Sequence, residues 1–263
     1  MHYLRLISIF ARTSFQEEAA YRANFFLNMM YSLLNLGTGV LGVAVLFNQI
    51  QSVSGWDFNG TLALLGVYLT AGALRNLVIG PSLDALAGMD GEVWSGRLDF
   101  TLLRPVDTQF LASFRSWRLF SLFDMALGLG VLGIATARIG ADLAPERWLA
   151  FLIAIIAGGA ILYAILLAFT ALVFWGPGVL FTWVFNGVFQ MARYPLGLYP
   201  GWLRLLLTWV IPVGIITTVP AGTLTGVTTP AMLAGMIALA VALIIASSAL
   251  FRFGVSHYKS ASS

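Results

Sequence analysis

The chain has no cysteine, a single lysine and two histidines, and only 10% of its 263 residues are charged. Each shortage removes a class of function. Without cysteine there are no disulfides, thiolate metal sites or cysteine nucleophiles. His2 and His257 sit at opposite ends of the sequence, and no carboxylate cluster accompanies either. A histidine metal centre and a Ser–His–Asp hydrolase therefore lack their parts. The lone lysine, Lys259, precedes Ser260 but follows Tyr258. No Gly-rich loop ending in Gly-Lys-Ser/Thr is spaced before it, so the chain is not a P-loop ATPase. The net charge of +3 rests almost wholly on scattered arginines, which makes no nucleic-acid footprint. No short apolar core with a small-residue cleavage site opens the sequence, so the expectation is that no signal peptide is removed.

Apolar residues are what the chain has instead. They make up 59% of it, and the mean hydropathy is +0.89. There is too little polar material to coat a soluble domain, so the solvent must be a bilayer. The pattern predicts an all-α membrane protein with six transmembrane helices in one domain, residues 1–263. Residues 1–22 place Leu4, Ile7 and Phe10 near one helical face amid Arg5, Arg12 and Arg22. An interfacial helix on the inner leaflet fits this better than a plain lead-in helix.

Asn24 to Phe47 is the first predicted span, and Thr61 to Gly80 the second, stopped by Pro81. Leu119 to Ala137 is the third and contains Asp124, and Trp148 to Phe174 is the fourth. Val179 to Met191 is a short fifth. After it, Pro195, Pro200, Pro212 and Pro220 break up residues 193–230. That stretch is predicted to be extracellular, with half-helices that re-enter the membrane. Ala231 to Phe251 is the sixth span. Tryptophans gather near predicted edges as an aromatic belt, and Thr38/Gly42 and Ala126/Gly130 have the small-xxx-small spacing of helix packing. No internal repeat is visible.

One polar stretch stands out. Residues 81–108 hold seven of the chain's 25 charged residues, Asp84, Asp90, Glu92, Arg97, Asp99, Arg104 and Asp107. Putting this segment and both termini on the cytoplasmic side gathers nine basic residues there and leaves four outside, so N-in, C-in topology in the inner membrane follows. Within the spans, Arg75 and Asp124 form a candidate intramembrane polar pair. It reads either as a substrate or proton site or as a structural pair, and the structural explanation is the better of the two.

The runs GRLDFTLLRPVDTQF (Gly96 to Phe110) and YPLGLYPGWLR (Tyr194 to Arg204), with Ile211-Pro212 and Pro220 beyond, carry a resemblance over nearly the whole chain. It resembles a bacterial six-span subgroup of ABC-2-type transporter permeases. The resemblance implies a permease subunit that performs no ATP hydrolysis and binds no cofactor. ATP and Mg would sit on a separate nucleotide-binding subunit, and a second permease copy or a related permease would complete the membrane pathway, bordered by spans one, two and five. It further implies a cytoplasmic coupling helix between spans two and three, within Leu83 to Gly96. By side-chain type, Leu86, Met89, Glu92, Val93, Trp94 and Arg97 are its candidate contacts to the ATPase. The implied cargo is a lipidic, amphipathic or drug-like molecule moved outward. The rivals are an ion-coupled secondary carrier or channel using Asp124 and Arg75, and a purely structural membrane protein.

Overall fold

The computed structural model describes residues 2–20, 22–88, 90–140, 144–176 and 181–258. Its regular elements are all helical, apart from one isolated bridge that pairs Val53 with Trp56. In chain order they are α1 (His2–Ala20), α2 (Arg22–Gln49), α3 (Phe58–Leu74), α4 (Gly80–Ala87), α5 (Leu98–Leu102) and α6 (Thr108–Phe114). Then follow α7 (Ser121–Ile139), α8 (Pro145–Ala171), α9 (Phe181–Met191), α10 (Gly201–Leu205), α11 (Val213–Thr225) and α12 (Pro230–His257).

Among the described residues, five helical stretches are long and apolar enough to cross a membrane: Asn24–Gln49, Phe58–Ala87, Ser121–Ile139, Pro145–Phe174 and Pro230–His257. A sixth is reached if Gly201–Val210 and Val213–Thr225, which meet at 90°, count as one. The described part of α9 has 11 residues, about 16 Å of helix, roughly half of the ~30 Å hydrocarbon thickness.

The second span runs further than its proline predicts. Pro81 does not end it, because a wide π-helical turn over Arg75–Ile79 leads directly into α4. The amide that proline lacks would have served the Leu77 carbonyl. The backbone N–H of Arg118 donates to that carbonyl instead, at 2.8 Å. Beside it, Ser82 Oγ donates to the Ser116 carbonyl at 2.7 Å and accepts from the Ser116 N–H at 3.0 Å. The start of the third span is thus pinned to the break in the second.

Helix α3 is the buried centre of the bundle, begun by Asp57, whose carboxylate accepts from the Gly60 N–H at 2.8 Å. It packs most closely on α7. A Cβ at Gly66 would lie 2.8 Å from the Leu132 nitrogen, and one at Gly128 would lie 2.7 Å from the Thr70 nitrogen. Glycine is what lets these backbones approach. The spacing Ala126/Gly130, read from sequence as packing, faces outward, and Gly130 has open space around it. Gly42 does pack, against the Tyr194 hydroxyl.

Helices α8 and α12 run parallel. Gly158 at the middle of α8 meets Met236 in the second turn of α12, and Phe174 meets Phe251 and Gly254 at their C-terminal ends. Those ends share one side of the bundle with α1 and residues 90–118. Gln109 Nε2 reaches Tyr163 and Ser248 at 3.1 and 3.0 Å, the Trp117 N–H donates to Ser14 Oγ at 3.1 Å, and Tyr3 packs on Phe110. At the opposite end, Gly226 lies against Arg147, and Gly197 against Ser54. Exposed tryptophans mark both ends, Trp94 and Trp175 on one and Trp148 and Trp202 on the other, whereas Trp56 is buried.

Candidate functional site

Two places in this bundle concentrate polar chemistry. The first is the connection between the second and third spans. After α4 the described chain makes successive turns to Arg97, then the short helix α5. Glu92 is 7% exposed and folds inward. Thr101 Oγ1 donates to its Oε2 at 2.7 Å, and Arg115, which comes just after α6, forms an ion pair with its Oε1. The Glu92 and Val93 amides return to the Ala85 and Leu86 carbonyls at 3.0 and 3.2 Å. These bonds lock the connection onto the bundle and leave its outer surface apolar, with Trp94 58%, Phe100 70% and Leu103 82% exposed. Arg97 and Arg104 flank that surface. Arg97 is itself held, donating to the Asp90 carbonyl at 2.7 Å and to Ser95 Oγ at 2.9 Å.

Nearby, α1 docks through Glu18, whose carboxylate accepts from the Phe120 N–H at 3.2 Å. Burial pushes the Glu18 carboxyl above its ordinary range, against the opposing pull of the Phe120 and Leu119 amides and of Arg118.

The second place is a cavity of about 300 Å³ among α2, α3, α7 and α9. It runs from Arg118 at the α1 end of the bundle to Arg193, beside Asn35 at the midpoint of α2. Arg75, Arg118 and Arg193 line it with one carboxylate, Asp124. Arg193 donates to Asn35 Oδ1, and its guanidinium lies 5.3 Å from the centre of the Tyr68 ring. That of Arg75 lies 5.6 Å from the Phe185 ring. Ser32 of α2 faces the Asp124 carboxylate. Charged groups at this depth are costly and need a reason.

The bundle thus carries an ordered polar connection after its second span and a polar cavity beside its first. The sequence model of the family described as ABC-2 family transporter protein matches residues 33–262. The chain belongs to that family. No curated protein and no solved structure matches the permease.

The residues expected to touch a partner fall into three sets. Leu86, Glu92 and Val93 are buried within the permease itself, at 3%, 7% and 8% exposure, so they do not face outward. Trp94 and Arg97 are on the surface. Met89 lies outside the described residues. Sequence reasoning passed over Phe100 and Leu103, although apolar side chains inside the most charged stretch of the chain were a visible sign. The physical reason is that Leu86 and Val93 are used to anchor the connection, which leaves the turn after them to meet the outside.

Arg75 and Asp124 do line one cavity, but no ion pair within 4.0 Å joins them. Asp84 acts electrostatically on Arg75 instead. Arg193 and Asn35, the deepest polar contact of the site, were not singled out. The arginine inside the ARYPLG stretch was read as lying beyond the membrane, and only the fold brings it inward. Among the described residues no group of three or more histidines, aspartates or glutamates is placed to hold a metal ion.

Proposed function

We propose that this ABC-2 permease is the transmembrane subunit of an ATP-driven exporter, energised by a separate nucleotide-binding subunit and paired with a second permease. The observation that carries this reading is the apolar and basic surface of Trp94, Arg97, Phe100, Leu103 and Arg104, held rigid from behind by the Glu92–Arg115 pair. Exposed tryptophan and arginine, here Trp94 beside Arg97 and Arg104, are the residue types of a docking hot spot. In this reading the surface is cytoplasmic. It shares its end of the bundle with Arg5, Arg12, Arg115, Arg118 and Arg252, which fits the positive-inside rule.

Nucleotide-driven closure of the ATPases would press on the α4–α6 connection. The pins from Arg118 to Leu77 and from Ser82 to Ser116 would carry that push to the second and third spans together. The bent pair Gly201–Thr225 is read as re-entrant, because the chain before it meets Ser54 and the chain after it meets Arg147, both at one end. Helix α1 is read as interfacial, with Leu4, Ile9 and Phe15 turned away from the bundle toward lipid. The cargo is lipidic, amphipathic or drug-like.

The test is the triple variant Trp94→Ala, Phe100→Ala, Leu103→Ala, co-expressed with the nucleotide-binding subunit. Co-purifying ATPase should fall by about tenfold or more, as expected when hot-spot side chains are truncated. Full stoichiometric recovery with normal hydrolysis would overturn the proposal.

A further inference from the structure

Of the cavity's three cations, Arg193 lies farthest from the α1 end, beside the midpoint of α2. Behind Arg75 stands Asp84, and beside Arg118 stands Glu18. Among the described residues no carboxylate forms an ion pair with any of the three, Arg193 included. Its neutral contacts, the Asn35 amide oxygen and the Tyr68 ring, orient the guanidinium without cancelling its charge. Its Nε is buried and has no hydrogen-bond partner, and the same holds for Arg75 Nε. Buried donors of this kind are ordinarily satisfied, and a planar guanidinium matches an oxyanion. On the same wall Asn186 Oδ1 is buried and also unpartnered, an acceptor beside the donors.

We infer that this cavity binds the oxyanionic head group of its ligand, a phosphate or carboxylate, with Arg193 as the anchor and Arg75 as a second donor. A hydroxyl on the same head group would satisfy Asn186. Asp124, the one carboxylate in the lining, opposes the anion and tempers the affinity. The inference names the substrate class for the transport reading above and rests on it. Its test needs no ATPase, so the two fail separately.

The full chain is placed in nanodiscs and its bound molecules are read by native mass spectrometry. The probes are phosphatidylglycerol, diacylglycerol with the same acyl chains, and inorganic phosphate. Phosphatidylglycerol should be retained over diacylglycerol, and Arg193→Gln should reduce that retention by about tenfold or more, the loss of one charge-assisted contact. Arg193→Lys should keep most of it, and Asp124→Asn should raise it. Retention of phosphatidylglycerol alone assigns a lipid-borne anion. Retention of inorganic phosphate that Arg193→Gln also abolishes assigns a soluble one. Equal retention of diacylglycerol, or phosphatidylglycerol retention unchanged in Arg193→Gln, overturns the inference. If Arg193→Gln does not stay monodisperse, Asp124→Asn decides: a fall in retention, or no change, overturns it as well.

Discussion

Arg115 and Arg193 are both half-buried guanidiniums in an apolar protein, and their surroundings differ in one respect. Arg115 has a carboxylate, Glu92, with Thr101 completing the set. Arg193 has an amide oxygen and an aromatic face. A charge taken out of water needs compensation. Where compensation comes from the chain itself, the cation is structural. Where the chain orients the cation but leaves its charge standing, the missing anion is expected from outside. The α4–α6 connection and the cavity thus use the same side chain for opposite ends: one closes a joint, and the other holds a place open.

The comparison breaks most visibly at the joint. Arg115→Leu should cost about 3 kcal/mol, the lower edge of the range for stranding a buried charge, because Arg115 is partly exposed and water can reach the site. Thermal unfolding in detergent measures it. Glu92→Leu with Arg115→Leu removes both charges and should return stability to within about 1 kcal/mol of the parent. If the double variant is as unstable as the single one, the pair is not what holds the connection.

Arg193→Leu should do the reverse. It should lower transport and substrate-stimulated ATPase activity by about tenfold or more while leaving the unfolding temperature unchanged or raised, since a costly charge leaves the membrane interior. A large drop in stability would make Arg193 a structural residue like Arg115. Removing Trp94, Phe100 and Leu103 sharpens the contrast further. Being exposed, they should cost the isolated permease no more than about 0.5 kcal/mol each, although ATPase recovery collapses.

The smallest effect concerns α1. The folded-state carboxyl of Glu18 lies above its ordinary range, so the docked helix binds its proton more tightly than the undocked one. Its docking is then firmest below the ordinary carboxylate range and weakens as pH rises through the raised value. Because the chain has no cysteine, a spin label at Phe15→Cys reports this cleanly. Label mobility should rise with pH in the parent and lose that dependence in Glu18→Gln.

Much of the membrane layout was legible in the chain. Long uncharged runs have one stable form in a bilayer, since only a helix satisfies its own backbone there, and Asn24 to Phe47 and Ala231 to Phe251 needed nothing more. The second span was harder. Pro81 is a helix breaker in isolation, but the Arg118 amide supplies the partner that the freed Leu77 carbonyl lacks, from 37 residues further along the sequence. The partner surface was legible as a region but not as residues. Side-chain type marked Leu86, Val93 and Trp94 alike as apolar, and nothing local separates an anchor that turns inward from one that turns outward.

By itself the amino-acid sequence determined the solvent, the number of apolar runs and the one stretch in which charge concentrates. These follow from composition and from periodicity along one helix, which are local quantities. Only the tertiary structure decided that Glu92 belongs to Arg115, that Gly66 and Gly128 mark the tightest helix crossing, and that Arg193 sits beside Asn35 in the middle of the bundle. Those depend on which faces of distant helices meet, because burial and charge compensation are properties of the neighbours a side chain acquires, not of the side chain.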